Sequence, residues 1–308
     1  MLGKRLEKSD TIGLISPSSG AEPSIITSGI KFIQKLGFKV ICGNNILKCN
    51  GYLAGKDTER SSDLNKMFLD TNVDMILCIR GGYGAARTLP FIDFDVVKNN
   101  PKIFVGFSDI TVFLNAFYQK CGLVTFHGPM LNSKLNEKSL SSLLNTLMYG
   151  FNPYIISNTD CILTKSNCSL SIDGTLVGGN LSVFCSLLST PYEVDTNNKI
   201  LLLEDIDEDP YKIDRYFTQL IQANKLQNCK AILLGQFTNC TSNNNNNNNN
   251  NSFSVEEVIK ERLYPLNIPV VYNFMSGHGT PNLTLPIGSE VRLNCNTGEI
   301  IVSKAVVK

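Results

Sequence analysis

Residues 102–120 read KIFVGFSDITVFLNAFYQK. An apolar run ends in Gly106-Phe107-Ser108-Asp109, and beyond it Ile110, Phe113, Leu114, Phe117 and Tyr118 recur at the spacing of one helical face. Strand, tight turn and helix in that order form the repeating unit of a parallel sheet. The turn then lies at the carboxyl end of a strand, where such sheets bind ligands. Two readings of Ser108 follow. A Ser or Asp ahead of a helix caps it by accepting a free backbone N–H, and caps are common. A serine on a strand-to-helix turn also sits beside N–H groups that stabilise an anion, as in a nucleophile elbow. The match to G-x-S-x-G is incomplete, because Ile110 stands where the second glycine belongs. The tetrapeptide alone favours the cap.

The same unit recurs upstream. TIGLISPSS reads as a strand entering a Pro/Ser turn, PSIITSGIKFIQKLGF as a helix closed by Gly37, and FKVICG as a second strand. DTERSSDLNKMFLD has helical spacing with Asp57 as its N-cap, VDMILCIRGGYG is a buried strand running into a glycine turn, and LVTFHGP closes the series. This alternation predicts an α/β fold whose N-terminal domain, residues 1–135, is a mostly parallel, doubly wound, Rossmann-like sheet covered on both faces. The texture changes near residue 130, and a boundary segment is expected over 136–160, with LSSLLNTLMYG as a short helix. A smaller C-terminal α/β domain is expected over 161–308. It begins with a glycine-rich turn, DGTLVGGN, and a helix, LSVFCSLLS. The strand KILLLED, the helix YKIDRYFTQLIQAN, the strand KAILLGQF and the helix SVEEVIKERLY follow. The tail EVRLNCNTGEIIVSK reads as a hairpin with Asn296 to Gly298 in its turn. The asparagine tract, residues 242–252, buries almost no apolar surface and is expected to be a disordered loop without chemistry.

Composition narrows the function. The chain has 308 residues, 43% hydrophobic and 18% charged, with a formal net charge of +1. No global field favours nucleic acid or an anionic membrane. No apolar run is long enough to span a bilayer, and MLGKRLEKSD carries no signal-peptide core, so a soluble, untargeted protein is expected. The ten cysteines form no C-x-x-C pair and read as scattered thiols of a reducing compartment. With His127 and His278 the only histidines, a histidine-rich metal site is excluded, and neither metal nor cofactor is expected.

Four features could carry chemistry beside Ser108. His278 lies in FMSGHGTPNLTLPIG, where flanking glycines let the backbone bring the ring close to another element. His127 ends a strand on the ligand-binding edge. Each, taken singly, also fits a hydrogen-bonded structural histidine. Glu204 ends ILLLED and opens an acidic run with Asp205, Asp207, Glu208 and Asp209, which composition alone reads as a solvated loop more readily than as a weak Mg²⁺ or Ca²⁺ site. Arg80 to Gly84, RGGYG, could turn backbone N–H groups toward a substrate or be a plain tight turn.

In order along the chain, GYLAGKDTERSSDLN, ILCIRGGYGAARTLPFIDF, FVGFSDIT, FHGPM, GTLVGGNLSV, TPYEVD, KILLLEDIDEDPYKIDR and GHGTPNLTLPIG resemble the LD-carboxypeptidase family of serine peptidases. That family includes murein tetrapeptide carboxypeptidases and microcin-immunity hydrolases. The resemblance covers nearly the whole chain, the asparagine tract being the main departure. It implies a Ser-His-Glu triad of Ser108, His278 and Glu204, with oxyanion-hole N–H groups from Gly82 and Asp109. It also implies a metal-independent cytoplasmic homodimer with its site between two α/β domains.

The expected reaction is hydrolysis of the amide bond to a C-terminal D-amino acid of a murein-type tetrapeptide. The free carboxylate of this small peptide would need an arginine or backbone N–H groups; Arg80 and Tyr83 of the glycine turn are candidates, with Arg87 a further one. Two alternatives stand beside it: hydrolysis of microcin-like aminoacyl-adenylate amides, and a non-catalytic α/β protein that binds a small ligand. No tryptophan is present to stack on an adenine, and LVGGNLSVFCSLLSTPYEVD looks closer to the carboxypeptidase branch.

Overall fold

The computed structural model describes residues 1–158, 162–164, 171–242 and 252–308. The asparagine tract expected as a loop lies almost wholly outside the described residues. In the first half, five parallel strands, β1 (Thr11–Ile15), β2 (Lys39–Cys42), β3 (Met75–Cys78), β4 (Ile103–Gly106) and β5 (Thr125–His127), stand in the order β5-β4-β3-β1-β2. Every residue of β3 and β4 is buried. Continuous apolar runs such as MILC and IFVG are what a parallel sheet covered on both faces requires. Connecting them are α1 (Pro23–Lys35), α2 (Asp57–Leu69), α3 (Ala85–Thr88), α4 (Phe94–Asn99) and α5 (Thr111–Cys121). Proline opens α1, where its missing N–H costs nothing. Asp57, expected as the cap of α2, stands inside the helix instead, and Lys56 is the N-cap. The Glu59 carboxylate accepts the Lys56 N–H, which leaves Asp57 free to pair with Arg60 and Arg87.

The remaining helices are α6 (Glu137–Tyr149), α7 (Leu181–Ser186), α8 (Pro210–Gln222) and α9 (Val255–Arg262). Nine further strands are described. They are β6 (Tyr154–Ile156), β7 (Ile162–Thr164), β8 (Ser171–Asn180), β9 (Lys199–Ile206), β10 (Ala231–Thr238), β11 (Val270–Tyr272), β12 (Leu285–Ile287), β13 (Glu290–Asn294) and β14 (Ile300–Val302). Eight of them form a second sheet in the order β6-β14-β13-β8-β9-β10-β11-β7. The ninth, β12, adds antiparallel to β5 and completes a six-stranded first sheet. Pro286 is tolerated there because β12 is an edge strand with one free side. The tail hairpin is present as β13 and β14. The stretch DGTLVGGN, read as a turn, is instead the end of β8. Its glycines serve close packing: a Cβ on Gly178 would stand 2.1 Å from the Leu202 carbonyl oxygen.

Strand β9 joins the halves by its alternation. Ile200 and Leu202 face the core shared with the first sheet, while Leu201 and Leu203 face a second cluster under α7, α8 and α9. Behind the turn that carries Ser108, α5 docks on β8. The buried Asn115 amide accepts from Gly178 N at 2.9 Å and donates to Gly178 O at 3.0 Å, and Thr111 Oγ1 accepts from Asn180 N at 2.9 Å. Asn180 is the register partner of Glu204 on β9. The serine and the glutamate are therefore tied through one short run of backbone.

Candidate active site

Ser108 follows β4 at the head of α5 and takes φ +61°, the left-handed region that side chains other than glycine and asparagine seldom enter. It caps nothing, since no side-chain cap bond is present at this helix start. Gly81 explains part of the fit: a Cβ there would stand 3.0 Å from Ser108 Oγ and 3.3 Å from the Asp109 N–H nitrogen. The glycine turn thus lies directly against the serine. Gly82, at φ +111°, packs on Ser19, whose hydroxyl accepts the Tyr83 N–H at 3.2 Å. Asp109 reaches back across the same gap and accepts from Ala85 N at 2.8 Å. Burial pushes its carboxyl up, while Ser18, the Ala85 N–H and Arg60 oppose that. Arg60 is fully buried and donates to Pro17 O and, at 2.9 Å, to Gly84 O. Ser19, Arg60 and the Asp109 side chain are not legible in the sequence as neighbours of the cleft, because each holds backbone brought close only by the fold.

His278 hangs on the loop between β11 and β12. Gly277, at φ +123°, bridges to Gln236 of β10, and a Cβ there would stand 2.6 Å from Glu204 Oε2. That close approach lets His278 Nδ1 meet Glu204 Oε2 at 2.7 Å. Glu204 is fully buried rather than part of a solvated acidic loop. Burial pushes its carboxyl up, but the His278 imidazole, with His127 behind it, outweighs that and holds it below the ordinary carboxylate range. The effect on the ring is reciprocal. Burial disfavours its charge, yet Glu204, then Asp205 and Asp207, hold His278 above the ordinary imidazole range. With Nδ1 turned to the carboxylate, Nε2 is left for a partner on the other side.

Ser108, His278, Gly81, Gly82 and Arg80 line one cleft of about 430 Å³, together with Phe107, Asn132, Lys134, Thr238 and Asn282. Phe107 stacks its edge on His278 with centroids 4.9 Å apart. Arg80 donates to Gly20 O at 3.2 Å and is half-buried in the cleft wall. Tyr83 does not line this cleft. It is 56% exposed and meets Tyr52 edge-on at 5.5 Å, while Arg87 is turned away onto Asp57. No group of three or more metal-ligating side chains is found among the described residues, and no helix there is long and apolar enough to cross a membrane.

Comparison with known proteins matches residues 12–128 to the LD-carboxypeptidase N-terminal domain and residues 173–293 to the LD-carboxypeptidase C-terminal domain. A probable murein peptide carboxypeptidase of Bacillus subtilis is 37% identical, over 98% of this chain and 94% of its own. Among solved structures, the muramoyltetrapeptide carboxypeptidase of Oxalobacter formigenes superposes with a TM-score of 0.83 at 29% identity, covering 94% of this chain and 97% of that one. The microcin C7 self-immunity protein MccF, in its wild-type apo state, superposes with a TM-score of 0.91 at 25% identity over the full length of both chains. MccF has also been solved with aspartyl sulfamoyl adenosine. The two matched domains, in this order and over this length, place the chain in the LD-carboxypeptidase family of serine peptidases, as an enzyme with carboxypeptidase activity.

Proposed function

We propose that this enzyme removes a C-terminal D-amino acid from a murein-type tetrapeptide by attack of Ser108 on the scissile carbonyl. The observation that carries the reading is the 2.7 Å contact between a fully buried Glu204 and the ring of His278, which shares its cleft with the strained Ser108. A serine hydroxyl is a weak nucleophile until a base takes its proton, and the base needs a third group to fix its tautomer. Glu204 on Nδ1 supplies that orientation and stabilises the imidazolium formed at His278. The proton then passes from His278 to the leaving amine, and water repeats the sequence on the acyl-enzyme. Charge on the tetrahedral oxygen would be met by the N–H groups of Gly82 and Asp109. Each such donor typically contributes about 3–4 kcal/mol to the transition state.

A cleft of about 430 Å³ suits a short peptide, and Arg80 in its wall can pair with a terminal carboxylate. The eight described cysteines are all free, which suits the reducing cytoplasm. The likeness to MccF supports a second reading, hydrolysis of an aminoacyl-adenylate amide. The absence of any tryptophan to stack on the base ranks it behind. Comparing kcat/KM on a tetrapeptide ending in D-Ala with that on an aminoacyl sulfamoyl adenosine separates the two. The tetrapeptide is expected to be cleaved faster, and faster cleavage of the adenosine compound would overturn the substrate assignment.

A further inference from the structure

Glu204 meets His278 with one oxygen only. The other, Oε1, is fully buried and has no hydrogen-bond partner among the described residues. Nε2 of His127, equally buried and equally unpartnered, stands 3.8 Å from it. Two buried polar atoms that face each other cost stability unless one brings a proton to the other. The far side of the His127 ring decides which. Nδ1 lies 3.2 Å from Ser276 Oγ, and that hydroxyl is 3.0 Å from the Leu283 carbonyl oxygen. A carbonyl can only accept, so the single hydroxyl hydrogen goes to Leu283 and Nδ1 must donate to Oγ. Were that the ring's sole proton, Nε2 would turn a lone pair onto a carboxylate. A proton on Nε2 removes the conflict. The 3.8 Å separation exceeds a normal hydrogen bond but lies where opposite charges shielded from water attract strongly.

We propose that His127 keeps a proton on Nε2 facing Glu204, so that the carboxylate is shared by two imidazoles and His127 is a positioning residue for His278. This rests on the roles given to Glu204 and His278 above. Sharing has two effects. Glu204 is held at both oxygens and cannot swing away from His278. Its pull on the His278 proton is also moderated, because part of its charge is answered from the other side. The remaining charged groups near His278 are Asp205 and Asp207 beyond Glu204, with Arg80 and Lys134 across the cleft. Phe107 packs its edge against both rings, with centroids 5.9 Å from His127.

Because the chain has only two histidines, nitrogen-15 spectra of the imidazoles resolve one ring each, and His127→Phe assigns them. In the full-length wild-type protein, and in Ser108→Ala, the His127 ring is expected to show a proton on Nε2 as well as on Nδ1. A bare Nε2 overturns the proposal. In kinetics, His127→Phe is expected to lose about tenfold more kcat/KM at the acid end than on the alkaline plateau, since an unshared Glu204 holds the His278 proton harder. His127→Gln keeps an N–H donor and is expected to restore most of that loss. Equal loss at both ends, with Phe tolerated as well as Gln, would reduce His127 to packing. Should His127→Phe fail to fold, the wild-type spectrum still decides. The ring signal does not depend on turnover: a Ser108→Ala enzyme that stayed active would refute the nucleophile and leave this inference standing.

Discussion

Gly81 and Ser108 touch where a side chain on the glycine would stand 3.0 Å from the hydroxyl oxygen. Gly81→Ala must push the serine or the glycine turn aside, and a small displacement of reacting groups is costly. The expected result is a fall in kcat of about 100-fold with the thermal midpoint little changed, read by steady-state kinetics and calorimetry. The ionisation of His278 gives a second prediction. A base must be neutral to accept a proton, and Glu204 holds the ring's proton past the ordinary imidazole value of 6.5. The acid limb of kcat/KM should therefore lie above that value, with activity lost as pH falls through it. Glu204→Gln removes the charge responsible. It should move the limb downward and lower kcat by about 10⁴-fold, because the tautomer of His278 is no longer fixed. A limb that stayed in place would mean that Glu204 does not face the titrating base.

Element by element, what the sequence allowed to be read was set by whether the signal was local. The alternation of buried strands with helices from Thr11 to His127, and the strand-turn-helix at Ser108, depend on periodicity and turn chemistry within a few residues, and both are present. The end of β8 reads as a turn because Gly178 and Gly179 look like turn residues; in the fold they let Leu202 and Thr111 approach. β12 carried no signal, because three residues including a proline become a strand only when β5 offers an edge. Of the proposed site, Ser108, Glu204 and His278 can be named from motif order. Arg60 and Asp109's side chain cannot, since the backbone they hold near the cleft, at Gly84 and Ala85, is distant from them in sequence. The docking of α5 on β8 can be tested at this scale. Asn115→Leu leaves both the N–H and the carbonyl of Gly178 unpaired and buried, at about 1–3 kcal/mol for each group. Urea unfolding should show that loss, with activity falling further than stability if the contact also sets the Ser108 turn.

The proposed mechanism requires the whole molecule to bring Ser108, at the end of a strand of the first sheet, to Glu204 on the second sheet and to His278 on the loop between β11 and β12. The core makes this a built-in geometry: Ile200 and Leu202 of the second sheet lie in the same buried cluster as Leu14 and Phe104 of the first and Phe117 of α5. Leu202→Ala is expected to cost about 2–5 kcal/mol and to leave one unfolding transition. Two resolved transitions would show halves that fold apart and a site assembled only on contact. Were the catalytic groups held together by this shared core, turnover would depend on the serine far more than binding does. The most direct measurement is Ser108→Ala, followed by kcat on the D-Ala tetrapeptide and by calorimetric binding of the same peptide. The account predicts that kcat falls by about 10⁶-fold while binding is nearly unchanged; turnover close to that of the unaltered enzyme would contradict it.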